Sequence, residues 1–158
     1  TGKRINWLHT VVPNSRAVEC FLETEAVYHR HQAEMQRLGI NRGYFLTSNG
    51  PSGVGIETLI NWSDAPLPIH RHYMKAPGDY ATKPADPAAR EMVTSITKAI
   101  IRRWSELGAV HLQIGKKYPY FDTREPATRL LIEQLKRIVD PNGLFNSGNL
   151  VPAEEWLV

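Results

Sequence analysis

The stretch RGYFLTSNGPSGVGIETLINW, Arg42 to Trp62, decides how the chain folds. Its flanks, Arg42 to Ser48 and Val54 to Trp62, are rich in aromatic and β-branched residues and predict two strands. Between them lies NGPSG, in which Asn49-Gly50 and Gly53 offer the positive φ angles that a tight hairpin needs. Two antiparallel strands follow. The glycines of SNGPSGVG, Ser48 to Gly55, also resemble a phosphate-binding loop, but such a loop delivers its ligand to a helix N-terminus, and here a strand comes next.

Working outward from the hairpin, Ile5 to Val12 (INWLHTVV) predicts a first strand that stops at Pro13-Asn14. A helix is expected after it, with Ser15 as N-cap and Glu19 in the first turn. Val18, Phe21, Leu22, Tyr28, Met35 and Leu38 recur at helical spacing up to Gly39, a C′ residue. On the other side, Ser63 to Pro87 contains Pro66, Pro68, Pro77, Pro84 and Pro87 and reads as a long loop, with His70 and His72 on an extended segment. Met92, Val93, Ile96, Ala99, Ile100, Trp104 and Leu107 then mark one face of a helix that closes at Gly108, and Ala109 to Ile114 (AVHLQI) reads as a strand. The order β-α-β-β-α-β predicts an α+β, ferredoxin-like domain whose two helices cover one face of an antiparallel sheet. A last helix is expected from Pro126 to Val139, with Leu130, Leu131, Leu135 and Ile138 as its apolar stripe.

Composition narrows the classes. A chain of 158 residues can bury one core, and 42% apolar with 22% charged residues excludes a disordered or collagen-like protein. The single cysteine, Cys20, can close no internal disulfide, which fits a reducing compartment and leads us to expect a cytoplasmic protein. No apolar run reaches the roughly 18 residues needed to cross a bilayer, so no membrane partner is expected. The net charge of +3 comes from 19 basic residues scattered among 16 acidic ones. Without a dense basic arm, and with VGIETLINW lacking the aromatic pair of an RNA-recognition strand, nucleic acid is not expected as a partner either. Because the sequence begins with Thr1 rather than Met, it reads as an excised or processed piece of a longer chain.

The C-terminal stretch LKRIVDPNGLFNSGNL, Leu135 to Leu150, goes beyond what a ferredoxin-like unit requires. Pro141 disfavours helix at Asp140, Asn142-Gly143 permits a tight turn, and Leu144 and Phe145 then call for a receiving surface outside the βαββαβ unit. We therefore divide the chain into residues 1–121, the ferredoxin-like unit, and residues 122–158, a returning helix and docking tail.

This tail resembles the C-terminal signature of FAD-linked oxidases of the vanillyl-alcohol oxidase and p-cresol methylhydroxylase superfamily, in which a helix ends in a DP turn and a short N-[PS]-G segment follows. Ser147 stands where many relatives carry proline. GAVHLQIGKKYPY, Gly108 to Tyr120, is similar to the last strand of the family's cap domain beneath the flavin. WLHTVVPNSRA, Trp7 to Ala17, is similar to the strand-to-helix entry into that domain. The resemblance spans almost the whole chain, with the three motifs in the family's order. It implies the cap, or substrate, domain of an FAD-dependent oxidoreductase acting on an organic alcohol, hydroxy acid or alkylphenol. Its partners would be a small organic substrate and an FAD-binding domain, from the same polypeptide or a companion subunit, and the isolated fragment is expected to be inactive.

The resemblance also implies roles. His9 falls where some relatives attach the flavin covalently; the plainer reading is a histidine on a half-buried strand. Gln113 would bond the flavin ring or the substrate, with His111 two residues away on the same strand face, and Asn146 would be brought near the flavin by the tail. Tyr118 and Tyr120 are wall or acid–base residues, or else a packed aromatic turn; Tyr118 and His111 are the catalytic candidates. Leu112 and Gln113 replace the Tyr-Arg pair with which relatives stabilise a phenolate, which argues against phenol oxidation by that mechanism. No metal is expected: His70 and His72 lack a third ligand, and His29 and His31, two apart on a helix, do not share a face. Cys20 has no sequence context for nucleophilic catalysis. The alternative to the flavoprotein reading is a stand-alone ferredoxin-like module that binds a small molecule or forms a homo-oligomer through its sheet.

Overall fold

In the computed structural model, which describes residues 3–73, 78, 82–111, 113 and 115–151, the hairpin turns at Gly50. Its φ of +68° is the left-handed value that a side chain resists. Asn49 and Gly53 do not share that geometry. Space is tight at Gly53 instead, since a Cβ there would approach the Val11 side chain to 3.2 Å, and one on Gly55 would overlap Thr47 Oγ1.

The hairpin joins β2 (Asn41–Asn49) to β3 (Gly53–Ser63), and β1 (Lys3–Pro13) pairs along the other edge of β3. The result is a three-stranded antiparallel sheet in the order β1-β3-β2. Strand alternation separates two faces. Leu8 and Val12 of β1 with Ile56, Thr58 and Ile60 of β3 point into the core, where they join Val27 and Tyr28 of α1 (Ala17–Arg30) and Val93, Ile96, Ile100 and Trp104 of α4 (Pro87–Glu106). Buried hydroxyls there are paired. Tyr28 and Thr58 share a 2.6 Å hydrogen bond, and Trp104 Nε1 donates to Thr24 Oγ1 at 2.8 Å. The opposite parity, Ile5, Trp7 and His9 on β1, Glu57 and Leu59 on β3 and Phe45 on β2, faces away from both helices; Ile5, Trp7 and Phe45 are exposed.

Several expectations are corrected in detail. Ser15 lies within a single 3-10 turn, Asn14–Arg16, and α1 begins without a side-chain cap. The first helix breaks at His31, so that α2 (Gln32–Arg37) is separate and Gly39, at φ +62°, ends it as expected. The loop after β3 holds a short helix, α3 (Pro68–Tyr73), which puts His70 and His72 on a helical turn rather than an extended segment. The helix α4 starts earlier than its apolar stripe signals, because the Asp86 carboxylate accepts a 2.9 Å bond from Ala89 N–H and Pro87 suits the first turn.

The strand expected over Ala109 to Ile114 is reduced, among the described residues, to one bridge between Val110 and Val11; Leu112 and Ile114 lie outside them. Side chains take two further edge positions of β1, the His9 N–H and the Trp7 carbonyl. Finally, α5 (Pro126–Val139) forms as predicted, but Leu130, Leu131, Leu135 and Ile138 are exposed. The turn after it is built on buried Asp140, whose carboxylate accepts from the backbone N–H groups of Leu144 (2.8 Å) and Phe145 (3.0 Å). No helix among the described residues is long and apolar enough to cross a membrane.

Candidate functional site on the edge of the sheet

The outer edge of β1 must satisfy its backbone groups without a full partner strand. Val11 and Val110 exchange two 2.8 Å backbone bonds, after which the chain leaves the ladder. The next edge donor, His9 N–H, is taken by the hydroxyl oxygen of Tyr118 at 3.1 Å. Beyond it, the Trp7 carbonyl accepts from Lys117 Nζ at 2.9 Å, and the same ammonium reaches Asn6 Oδ1 at 2.6 Å. This lateral anchoring lays the Tyr118 ring against two imidazoles. The His111 ring stacks on it with centroids 4.5 Å apart and planes at 23°, the His9 ring is tilted at 5.2 Å, and Trp104 lies 6.3 Å from His111.

His9 is 7% exposed, His111 2% and Tyr118 5%. Both ring nitrogens of each histidine lack a hydrogen-bond partner among the described residues. Leaving such groups unpaired away from water costs about 1–3 kcal/mol each, so these four nitrogens carry a desolvation cost that a bound molecule could relieve. Burial pushes the His111 imidazole below its ordinary value of 6.5; the His9 backbone opposes this in part without closing a hydrogen bond, and His9 and Arg124 add to the lowering. His111 is therefore neutral at neutral pH, with a lone pair to offer. Burial raises the Tyr118 phenol, which the His9 backbone opposes and the Glu57 charge reinforces. Tyr118 accepts from His9 while its own proton is given to no acceptor among the described residues. The site thus presents a neutral base beside a neutral hydroxyl donor.

His9 also lines an open cleft of about 420 Å³ on the free face of the sheet, together with Trp7, Glu57 and Gln113. Trp7 Nε1 donates to Glu57 Oε2 at 2.7 Å. A neighbouring cleft of about 550 Å³ is lined by Tyr118, Tyr120 and Phe121 and by Gly148 and Leu150 of the tail. The fold therefore gathers His9, His111 and Tyr118, and brings Gln113 to the cleft beside His9. Asn146 stays apart: it is exposed, at φ +49°, and its carbonyl accepts from Asn149 N–H at 2.9 Å.

Sequence reasoning missed Trp7, Glu57 and Lys117. Parity was the available signal, since Trp7 alternates with His9 and Glu57 breaks the apolar run VGIETLI on the face turned away from the core. The other histidines have local roles: His70 Nδ1 accepts from Leu67 N–H at 3.2 Å, and His29 lies 3.7 Å from Glu25. Cys20 is buried and its thiol is pushed up to about 11, mainly by burial, so it is inert at neutral pH. Among the described residues no three potential ligands converge on a metal position. Neither the protein-family models nor the curated proteins include a match to this chain.

Proposed function

We propose that the chain is the cap portion of an FAD-dependent oxidoreductase that oxidises an organic alcohol, hydroxy acid or alkylphenol. The observation that carries this reading is the pair of buried imidazoles, His9 and His111, around one tyrosine, with every ring nitrogen unpartnered among the described residues. Such atoms are retained where a bound molecule completes their hydrogen bonds. The exposed apolar residues on the free sheet face and along α5 support the same reading, because a cofactor ring and a second domain would cover them. The Val11–Val110 bridge supports the finer fold: we read it as the remnant of the fourth strand of a ferredoxin-like βαββαβ unit, with α5 and the tail returning to the FAD-binding domain.

The residues fit the cofactor on the evidence of their unused bonding capacity. His9 and Gln113 line one cleft and offer an imidazole and a carboxamide to the polar edge of a flavin ring. Asn146 would join them when the tail docks. Bound FAD would supply the oxidising equivalents, taking up the hydride that the substrate carbon loses. The chain's own contribution is orientation and proton handling. His111, kept neutral by burial, accepts the substrate hydroxyl proton at a ring nitrogen, and Tyr118 donates a hydrogen bond from its hydroxyl. The aromatic rings of Tyr118 and Trp104 keep water from the imidazole.

The glycine-rich turn at residues 48–55 runs directly into β3, so it lacks the helix N-terminus that would hold a pyrophosphate. The isolated chain should therefore bind FAD weakly or not at all when titrated by flavin fluorescence. Submicromolar affinity would overturn the reading of the chain as a cap without its cofactor domain. The exposed Ile5, Trp7 and Phe45 also favour a second reading, a small-molecule-binding module that dimerises through its sheet. A concentration-dependent dimer in sedimentation, with the same face protected from hydrogen exchange, would select it.

A further inference from the structure

We infer that the cleft bounded by Trp7, His9, Glu57 and Gln113 binds an organic ammonium group, with Glu57 as its counter-charge, the exposed Trp7 indole in its lining and the exposed Phe45 ring next to Glu57 on the neighbouring strand. The register places these residues together. Glu57 of β3 sits directly opposite His9 of β1 on one side and Phe45 of β2 on the other, and Trp7 is its diagonal neighbour, all on the free face of the sheet. The carboxylate has only part of its bonding capacity used. Oε2 accepts from the Trp7 indole, whereas Oε1 accepts no hydrogen bond and no Lys or Arg pairs with Glu57 among the described residues. Trp7 and Phe45, on the strands to either side of Glu57, remain 50% and 57% exposed. A carboxylate flanked by open aromatic faces attracts a cation through both charge and ring quadrupole.

His9 supplies the independent sign that the cleft is built for a ligand. It is more than nine-tenths buried, lines the cleft and has neither ring nitrogen partnered among the described residues. The acceptor nitrogen of an imidazole and the oxygen of the Gln113 carboxamide can each accept from an ammonium N–H or from a hydroxyl next to it, which leaves the N–H donors of both groups for the flavin edge proposed above. A substrate carboxylate in this position would instead face Glu57 at short range, and no Lys or Arg among the described residues is ion-paired with Glu57 to offset the repulsion. Identifying the bound molecule as the substrate rests on the function proposed above, and within that reading it selects amino-alcohols over hydroxy acids. The ammonium site itself stands on the geometry of the cleft.

The test is a titration of the full chain, observed by NMR at the Trp7 indole N–H and the His9 imidazole, with benzylammonium, benzyl alcohol and benzoate as size-matched probes. Benzylammonium is expected to move both resonances saturably, to bind at least about fivefold more tightly than benzoate and to weaken by about that factor in Glu57→Gln. Added salt should weaken benzylammonium and leave benzyl alcohol unchanged. This comparison needs no variant and covers the case in which Glu57→Gln does not fold. Equal or tighter binding of benzoate, or salt-independent binding of benzylammonium, would overturn the ammonium site. If benzylammonium binds as expected while the protein joined to its FAD-binding domain oxidises other organic alcohols but no amino-alcohol, the ammonium site stands and its assignment to the substrate fails; if it oxidises no organic alcohol, hydroxy acid or alkylphenol at all, the flavoprotein reading fails and the ammonium site still stands.

Discussion

His111 illustrates how one residue links the folding of this chain to its chemistry. Its ring is held between the core indole of Trp104 and the Tyr118 phenol, where burial favours the uncharged form. The folded-state pKa is depressed below the ordinary 6.5, so the protonated form is favoured by the unfolded chain. The associated stability is present above about pH 6.5 and is lost as the pH falls through and below that value. Melting temperatures measured at pH 7.5 and pH 5 should therefore converge in His111→Phe, which keeps the ring stack and removes the titration. An unchanged difference between the two pH values would show that His111 is not the group responsible. The same neutral imidazole is the proposed proton acceptor, so the stability and the chemistry share one cause.

At the level of elements, the chain after β3 is held by an acidic anchor. Asp64, 1% exposed, accepts two bonds from the Arg90 guanidinium at 2.6 and 2.7 Å and others from the Ala65 and Asp86 N–H groups, which fixes the start of α4 against the sheet. The Arg90 contact holds the Asp64 carboxyl well below its ordinary 3.8, against the opposing effect of burial. A depressed carboxyl pKa stabilises the fold above its ordinary value and ceases to do so as the pH falls towards the folded-state value. Asp64→Asn should destabilise the protein at neutral pH and flatten its loss of stability below about pH 4, as followed by urea denaturation at pH 3 and pH 7. The other element at issue is α5 with its tail. Phe145 is 69% exposed, so Phe145→Ala should change the isolated chain's stability by no more than about 0.5 kcal/mol, the range for surface positions. A loss of about 3–5 kcal/mol, the range for a core Phe, would place the tail in this chain's own core. In the protein joined to its FAD-binding domain the same substitution should loosen flavin retention, because the proposal gives Phe145 a docking surface there.

On the scale of the whole molecule, local signals decided much of the architecture and contacts distant in sequence decided the site. Period-2 alternation in Ile5–Val12 and Val54–Trp62, the Asn49-Gly50 turn and the apolar spacing from Met92 to Leu107 were enough to predict a hairpin, a first strand and the helices on one sheet face. Each of these signals is local: it acts through the backbone conformation and face preference of the residues that carry it. The bounds of α5, Pro126 to Val139, were legible for the same reason, since a proline at one end and Asp140-Pro141 at the other act within a turn of themselves. The strand expected from AVHLQI shows where local signals stop. Whether that segment pairs depends on competition for the edge of β1, and the Tyr118 hydroxyl and Lys117 ammonium, more than a hundred residues along the chain from His9 and Trp7, take the positions that a ladder would use. His9, His111 and Tyr118 could each be named from the sequence, but their common stack, their unpaired nitrogens and the cleft that pairs His9 with Glu57 are products of packing. Sequence thus determined the hairpin, the first strand, the principal helices and the face of the sheet that is buried, because propensity and alternation are properties of neighbouring residues. Only the tertiary structure decided which polar groups are buried without partners, because desolvation depends on every element that closes over them.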